Sequence, residues 1–269
     1  MWAVKKKESR IGGNMQVFAK TDVGKARENN QDFYYISNPG DVPEIFILAD
    51  GMGGYNGGEI ASRMAVESTS NYIKSNFSKM EEDINKKKSL SNDKNIEKEE
   101  VMKLLKASIQ YANMVVYEEA KKDKDLEGMG TTLDICLIYN SKVYIGHIGD
   151  SRVYRIRNDV MRKLTKDHSY VQQLVEDGKI TREEALHHPK KNMLTKALGC
   201  TPYIEPDLRA RVINKNDIIL MCSDGLTNMV AEEEIYNITK KNPKNAVNEL
   251  ITLANNNGGY DNITVLIIM

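Results

Sequence analysis

Three times in this chain an apolar run ends in an aspartate beside a glycine: Ile47-Leu-Ala-Asp50-Gly51, Ile145-Gly-His-Ile-Gly149-Asp150 and Leu220-Met-Cys-Ser-Asp224-Gly225. A fourth aspartate, Asp261, lies in Gly258-Gly-Tyr-Asp261-Asn262, directly ahead of the last apolar run. Singly, Asp-Gly is turn chemistry, because Asp tolerates turn geometry and Gly supplies positive φ. Together the four constrain the fold more tightly. Carboxylates at the ends of buried strands are strongly destabilising when unpaired and repel one another where they converge. Lys and Arg do not regularly neighbour these positions. A bound cation is then the simplest neutraliser, and an all-oxygen ligand set selects Mg²⁺, Mn²⁺ or Ca²⁺ over zinc or copper. Gly51 has no side chain to shield its carbonyl, which becomes a further candidate ligand.

The pattern between these points predicts strands at Gln16–Lys20, Phe33–Ser37 and Ile45–Ala49, then a helix from Gly57 to about Phe77 whose apolar and small residues recur at helical spacing. Residues 79–100 are almost wholly polar and read as a mobile connection. A second long helix is expected over Val101–Asp123. Strands follow at Thr132–Tyr139, Lys142–Ile148 and Arg152–Ile156, joined by short Asn-Ser and Gly-Asp turns. Helical segments are expected at Ser169–Glu176 and Thr181–Leu186, the latter opened by the capping-box sequence Thr181-Arg-Glu-Glu184. Strands near Glu205–Val212 and Ile218–Cys222, two helices between Ala231 and Asn256, and a strand at Thr264–Ile268 complete the order. Strands, paired helices and strands again argue for an α+β layered fold and against a βαβ repeat.

The 269 residues are read as one domain spanning 15–269, preceded by a disordered extension over 1–14. Lys plus Arg and Asp plus Glu both total 38, so no overall field draws the protein to nucleic acid or an anionic membrane. Cys136, Cys200 and Cys222 are odd in number and lack C-x-x-C spacing, which fits a reducing compartment. With no long apolar span and no secretion signal in the first residues, a cytoplasmic location is expected.

In Thr21-Asp22-Val-Gly24-Lys-Ala-Arg27-Glu-Asn-Asn30-Gln31-Asp32, a turn brings a guanidinium near another carboxylate. Arg27 can either fork two oxygens of a phosphate or form a surface ion pair with Asp32. At this point the residues resemble the PPM, or protein phosphatase 2C, family in its compact bacterial form. The ordered motifs carrying the resemblance are Thr-Asp-x-Gly-x-x-Arg-x-x-Asn-Gln-Asp32, Ala-Asp50-Gly-Met-Gly-Gly54, Gly130-Thr-Thr132, Gly146-His-Ile-Gly-Asp150-Ser-Arg152, Cys222-Ser-Asp224-Gly-Leu226 and Asp261-Asn-Ile-Thr264.

That resemblance implies a sandwich of two antiparallel sheets flanked by pairs of helices, with a metal cleft at one end. It implies that Asp50 bridges two Mn²⁺ or Mg²⁺ ions, Gly51 adds its carbonyl, Asp224 and Asp261 complete one ion, and Asp32 supports the site through water or hydrogen bonds. Arg27 would hold the substrate phosphate. Asp150, Asp224 and the main-chain oxygen of Asn192 would take a third ion, beside a mobile flap over residues 165–199. The implied reaction is attack on phosphoserine or phosphothreonine in proteins by a hydroxide bridging the two ions, without a covalent enzyme intermediate. Implied partners are phosphorylated proteins and a cognate Ser/Thr kinase, with the enzyme a monomer. Two positions depart from the family pattern: Gln31 stands where many members carry Glu, and Met52 where eukaryotic members often have the His proposed to protonate the leaving group. Other phosphatase chemistry finds little support, since none of the cysteines is followed six residues later by Arg, and no G-x-S-x-G elbow or Walker A loop is present. A catalytically silent phosphoprotein-binding scaffold on the same fold is the rival from another class.

Overall fold

The computed structural model describes residues 7–10, 14–38, 40–54 and 57–269. Two antiparallel sheets face each other. The first has the order β1 (Lys7–Arg10), β2 (Asn14–Asp22), β12 (Ile263–Ile268), β11 (Ile218–Cys222), β8 (Arg152–Arg157), β9 (Val160–Lys163). The second runs β10 (Asp207–Val212), β7 (Lys142–Ile148), β6 (Leu133–Tyr139), β4 (Glu44–Met52), β3 (Asp32–Ile36), with the short β5 (Gly130–Thr131) pairing the end of β4.

Alternation along the strands sorts the core into three layers. Phe46, Leu48, Ile145, Val153, Met221 and Leu266 pack between the sheets. The opposite face of the second sheet, with Ile45, Ile47, Leu133 and Ile135, is covered by α1 (Gly57–Leu90) and α2 (Ile96–Lys122). That of the first, with Leu220, Val265 and Ile267, is covered by α6 (Glu232–Lys241) and α7 (Pro243–Asn256). This is the α+β sandwich expected. The helices α3 (Tyr170–Glu176) and α4 (Arg182–His187) lie where the sequence put them, and α4 opens with the capping box, Thr181 and Glu184 bonding reciprocally. A single turn, α5 (Asp224–Thr227), follows β11.

Two expectations are corrected. Residues 79–100 do not form a long connection: α1 continues to Leu90 and only 91–95 join it to α2. Met80 and Ile84 carry the apolar stripe on from Phe77 at helical spacing, and both are buried in the layer that also holds Ile96 and Val101. Sparse but correctly spaced apolar residues were enough. Ile84→Ala should therefore lower unfolding stability by about 2–4 kcal/mol, read by urea denaturation, whereas a flexible segment would give no change. The extension over 1–14 is not wholly irregular either. Residues 1–6 and 11–13 lie outside the described residues, but Lys7–Arg10 pairs with β2, Lys7 opposite Val17 and Arg10 opposite Asn14. Edge strand β2 offers unpaired backbone groups that a further strand satisfies.

Candidate metal centre and active site

Strand register brings the carboxylates together. In the β3–β4 pair Asp32 stands directly opposite Asp50. Asp150 follows β7 in the same sheet, while Asp224 and Asp261 follow β11 and precede β12 in the other. Carboxylates from both sheets thus meet at one end of the sandwich. Asp50, Gly51, Asp150, Asp224 and Asp261 line a cavity of about 600 Å³, together with Arg27, Met52, Thr132 and Asn192. Asp32 sits behind the wall, buried.

The loop after Asp50 is fixed by close backbone approach. A Cβ on Gly51 would lie 2.0 Å from the Gly58 carbonyl oxygen and 2.6 Å from that of Gln31, so no other residue fits. The Gln31 carbonyl accepts from the Gly51 N–H at 3.1 Å and the Ser62 hydroxyl at 2.6 Å. Its side-chain amide donates to the Gly54 carbonyl at 3.2 Å. Gln31, an uncharged departure from the family pattern, therefore acts here as a brace for the 51–54 loop. Asp50 is held through its backbone: its N–H donates to Thr132 Oγ1, and its carbonyl accepts from Thr131 Oγ1 and Thr132 N–H, each at 2.9 Å.

Burial, then the neighbouring acids, dominates the electrostatics. The Asp50 carboxyl is pushed well above the usual carboxylate range by desolvation, followed by Asp32, Asp224, Asp150 and Asp261. Asp150 and Asp224 rise for the same reasons, burial first. Acids that repel one another in this way keep a proton more readily than isolated carboxylates do. Asp32 is raised to about 7 by burial, even though Ser223 Oγ and Thr264 Oγ1 both donate to its Oδ2, at 2.8 and 2.7 Å.

These residues fit a hard divalent cation. Asp32 Oδ1 is buried with no hydrogen-bond partner among the described residues, and the crowded acids need positive charge. Among the described residues no three His, Cys, Asp or Glu side chains are placed to hold a metal ion by themselves. An open cleft wall of carboxylates and a bare carbonyl instead suits ions that retain several waters, as Mg²⁺ does.

Arg27 departs from one of its two sequence-based alternatives. It pairs not with Asp32 but with Asp261, Nε and Nη2 donating to the two carboxylate oxygens at 2.9 Å each. Backbone topology explains this: the Gly259 carbonyl accepts from Lys25 and Ala26 N–H, which seats the Arg27 turn on the loop carrying Asp261. Among the other positions, Asn192 and Leu194 bring the 165–199 segment to the cavity wall. Residues given no role from sequence prove to be supports. Besides Thr131, Thr132, Ser223 and Thr264, Asn228 Nδ2 donates to Asp224 Oδ2 at 2.9 Å. Asn262 Oδ1 accepts from Gln31 N–H at 2.8 Å, while its amide donates to the Val23 and Asn29 carbonyls. The only sequence signal for most of these was their place in the Gly130-Thr-Thr132, Cys222-Ser-Asp224 and Asp261-Asn-Ile-Thr264 motifs.

Comparison with known proteins agrees with this architecture. The protein phosphatase 2C family profile matches residues 24–262. The serine/threonine phosphatase stp of Listeria innocua is 39% identical over 251 residues, covering 93% of each chain. The serine/threonine phosphatase Stp1 of Staphylococcus aureus superposes with a TM-score of 0.81 at 30% identity, over 100% of this chain and 98% of that one. The catalytic domain of the serine threonine protein phosphatase PstP, solved in complex with 2 manganese ions, gives 0.77 at 31% identity, over 94% and 97%. No helix among the described residues is long and apolar enough to cross a membrane. From fold, site and relatives alike, the chain belongs to the protein phosphatase 2C family and is a divalent-metal-dependent protein serine/threonine phosphatase.

Proposed function

We propose that the chain hydrolyses phosphoserine and phosphothreonine in proteins with two Mn²⁺ or Mg²⁺ ions held by Asp50, the Gly51 carbonyl, Asp224 and Asp261. The observation that carries this reading is the convergence of four carboxylates from both sheets on one cavity beside a guanidinium. Asp32 supports the pair through water or hydrogen bonds, and Asp150, Asp224 and the Asn192 carbonyl form a third, weaker position. Bound there, the ions supply an activated water near neutral pH and offset charge on the phosphoryl oxygens.

The remaining work falls to side chains of this chain. Asp50, Asp224 and Asp150 must give up the protons that burial and mutual repulsion let them keep. Arg27, half-exposed at the rim, exchanges Asp261 for two oxygens of the substrate phosphate, a geometry its planar fork matches. Met52 lines the cavity but has no proton to give, so it does not protonate the leaving group. The chain acts as a cytoplasmic monomer opposing a Ser/Thr kinase.

Release of phosphate from p-nitrophenyl phosphate that depends on added Mn²⁺ tests the reading. No turnover by the intact protein at any metal concentration would favour the silent scaffold instead. Arg27→Ala should lower kcat/KM on the order of 10²-fold, chiefly through KM, as expected for lost phosphate anchoring. An unchanged KM would remove Arg27 from the substrate site.

A further inference from the structure

Away from the cleft, the sandwich has an edge where the inward-facing positions are arginines. On β8, Val153 packs between the sheets and Tyr154 packs toward α6 and α7. Alternation then turns Arg155 and Arg157 to the inter-sheet side with Val153. Arg162 of β9 stands directly opposite Arg155 and so shares its face. On β10, Leu208 and Ala210 pack toward the α1–α2 layer, which turns Arg209 and Arg211 to the other sheet. The side chains span the gap: Arg157 Nη2 and Arg155 Nη1 donate to the Val212 carbonyl of β10 at 2.9 and 3.5 Å.

This charge is poorly compensated. Asp217 is engaged by Arg157 through two hydrogen bonds. Among the described residues no carboxylate pairs with Arg155, Arg162 or Arg211, and Arg211 donates only to the neighbouring Ala210 carbonyl. Arg155 Nε is buried without a hydrogen-bond partner among the described residues. Burial first, then Arg157, Arg162 and Arg211, hold the Arg155 guanidinium below its ordinary pKa range. Like charges directly opposite on paired strands are destabilising, so a chain selected for stability alone would not place them here. Converging guanidinium forks with spare donors match a phosphate dianion better than a single carboxylate.

We propose that this arginine cluster is an accessory site for a second phosphorylated side chain of the protein substrate. The inference rests on the phosphatase reading for its choice of ligand, since phosphoproteins are what the cleft consumes. Arg155 lies five residues along β8 from Asp150, roughly 16 Å at strand rise, so an extended substrate needs at least about five residues between its two phosphates. The two strands that carry the cluster also flank the 165–199 segment in the chain, β9 preceding it and β10 following it. Asn192 and Leu194 of that same segment line the catalytic cavity.

The test compares phosphothreonine peptides that carry, eight residues to either side, a non-hydrolysable phosphonate, a glutamate or an alanine. With the Mn²⁺-loaded protein the phosphonate should lower KM roughly tenfold, about what one charged hydrogen bond supplies, with kcat unchanged. In the double variant Arg155→Leu, Arg162→Thr that advantage should vanish while turnover of p-nitrophenyl phosphate stays at the wild-type level. Arg211→Gln should remove part of it, which separates lost binding from a misfolded edge. No advantage in the wild type, or one that survives in the double variant, overturns the proposal. An equal gain from glutamate overturns it in favour of a general acidic docking surface. Wild-type protein inactive on p-nitrophenyl phosphate would instead sink the phosphatase reading. In that case fluorescence anisotropy with the phosphonate peptide still decides whether the arginine cluster binds it.

Discussion

Replacing Asp50 with Asn should lower kcat/KM on p-nitrophenyl phosphate on the order of 10³-fold or more while making the metal-free protein more stable. The two effects have one origin. Asp50 is the carboxyl most surrounded by other acids, raised by burial and by Asp32, Asp224, Asp150 and Asp261. Without a cation, its charge is opposed by all of them. An amide removes that charge without needing a proton from solvent. A gain of about 1–2 kcal/mol in metal-free unfolding stability at pH 7.5 follows, a melting temperature several degrees higher. Metal should act in the opposite sense. Mn²⁺ at 100 times its Kd stabilises a binding-competent protein by about 2.7 kcal/mol, and this shift should be absent in Asp50→Asn. Calorimetric scans with and without Mn²⁺ separate the outcomes. A variant that loses activity but keeps a full Mn²⁺ shift would show Asp50 is no ligand, and one that melts lower without metal would show that the carboxylate supports the fold rather than straining it.

The same local contest between burial and charge explains what was legible in the sequence. Ile47–Asp50 and Leu220–Asp224 announced themselves because strand periodicity places the apolar residues, and an acid at the end of such a run is out of character unless something pairs with it. The α+β layering followed from the order of strands and paired helices, and the two-sheet sandwich from the family resemblance. The extension of α1 through Met80 and Ile84 was hidden by local composition, since Lys86, Lys87 and Lys88 mask a stripe that only packing against α2 reveals. Strand β9 was also missed: Val160–Lys163 carries two basic residues, and its pairing is fixed by β8 rather than by its own pattern. The contact of Arg27 with Asp261 spans 234 positions, a distance over which no local pattern operates. Ser223 and Thr264 are alike in this respect. Short hydroxyl residues on strands look ordinary, and their function as donors to Asp32 exists only once β11, β12 and β3 meet.

Acid should stabilise the metal-free protein through this site, and Asp32 gives the most direct handle on it. Its folded-state pKa is raised from 3.8 to about 7. A raised carboxyl favours folding while it is protonated, so its contribution is fully present below about pH 4 and is lost as pH rises to about 7. The size is a few kcal/mol at most. Glu44, raised to about 7 by burial at the start of β4, titrates with the same sign but lies at the opposite end of that strand from Asp50. Other groups oppose the trend. Asp167 and Asp217 lie below their ordinary range despite burial, through Arg152 and Arg157, and so lose stabilisation in acid. His168, lowered to about 4 mainly by burial, loses it between about 6.5 and 4. The informative quantity is therefore the difference between variant and wild type across pH 4 to 8, measured by urea denaturation without metal. Asp32→Asn and Glu44→Gln should each gain stability relative to wild type as pH rises through this window. With Mn²⁺ added they should part company: Glu44→Gln keeps the full metal-induced stabilisation, strengthening with pH as ligands deprotonate, while Asp32→Asn shows a weakened one. Equal metal shifts in both would mean that the unpartnered Oδ1 of Asp32 faces nothing the metals need, and that its raised pKa reflects burial without function.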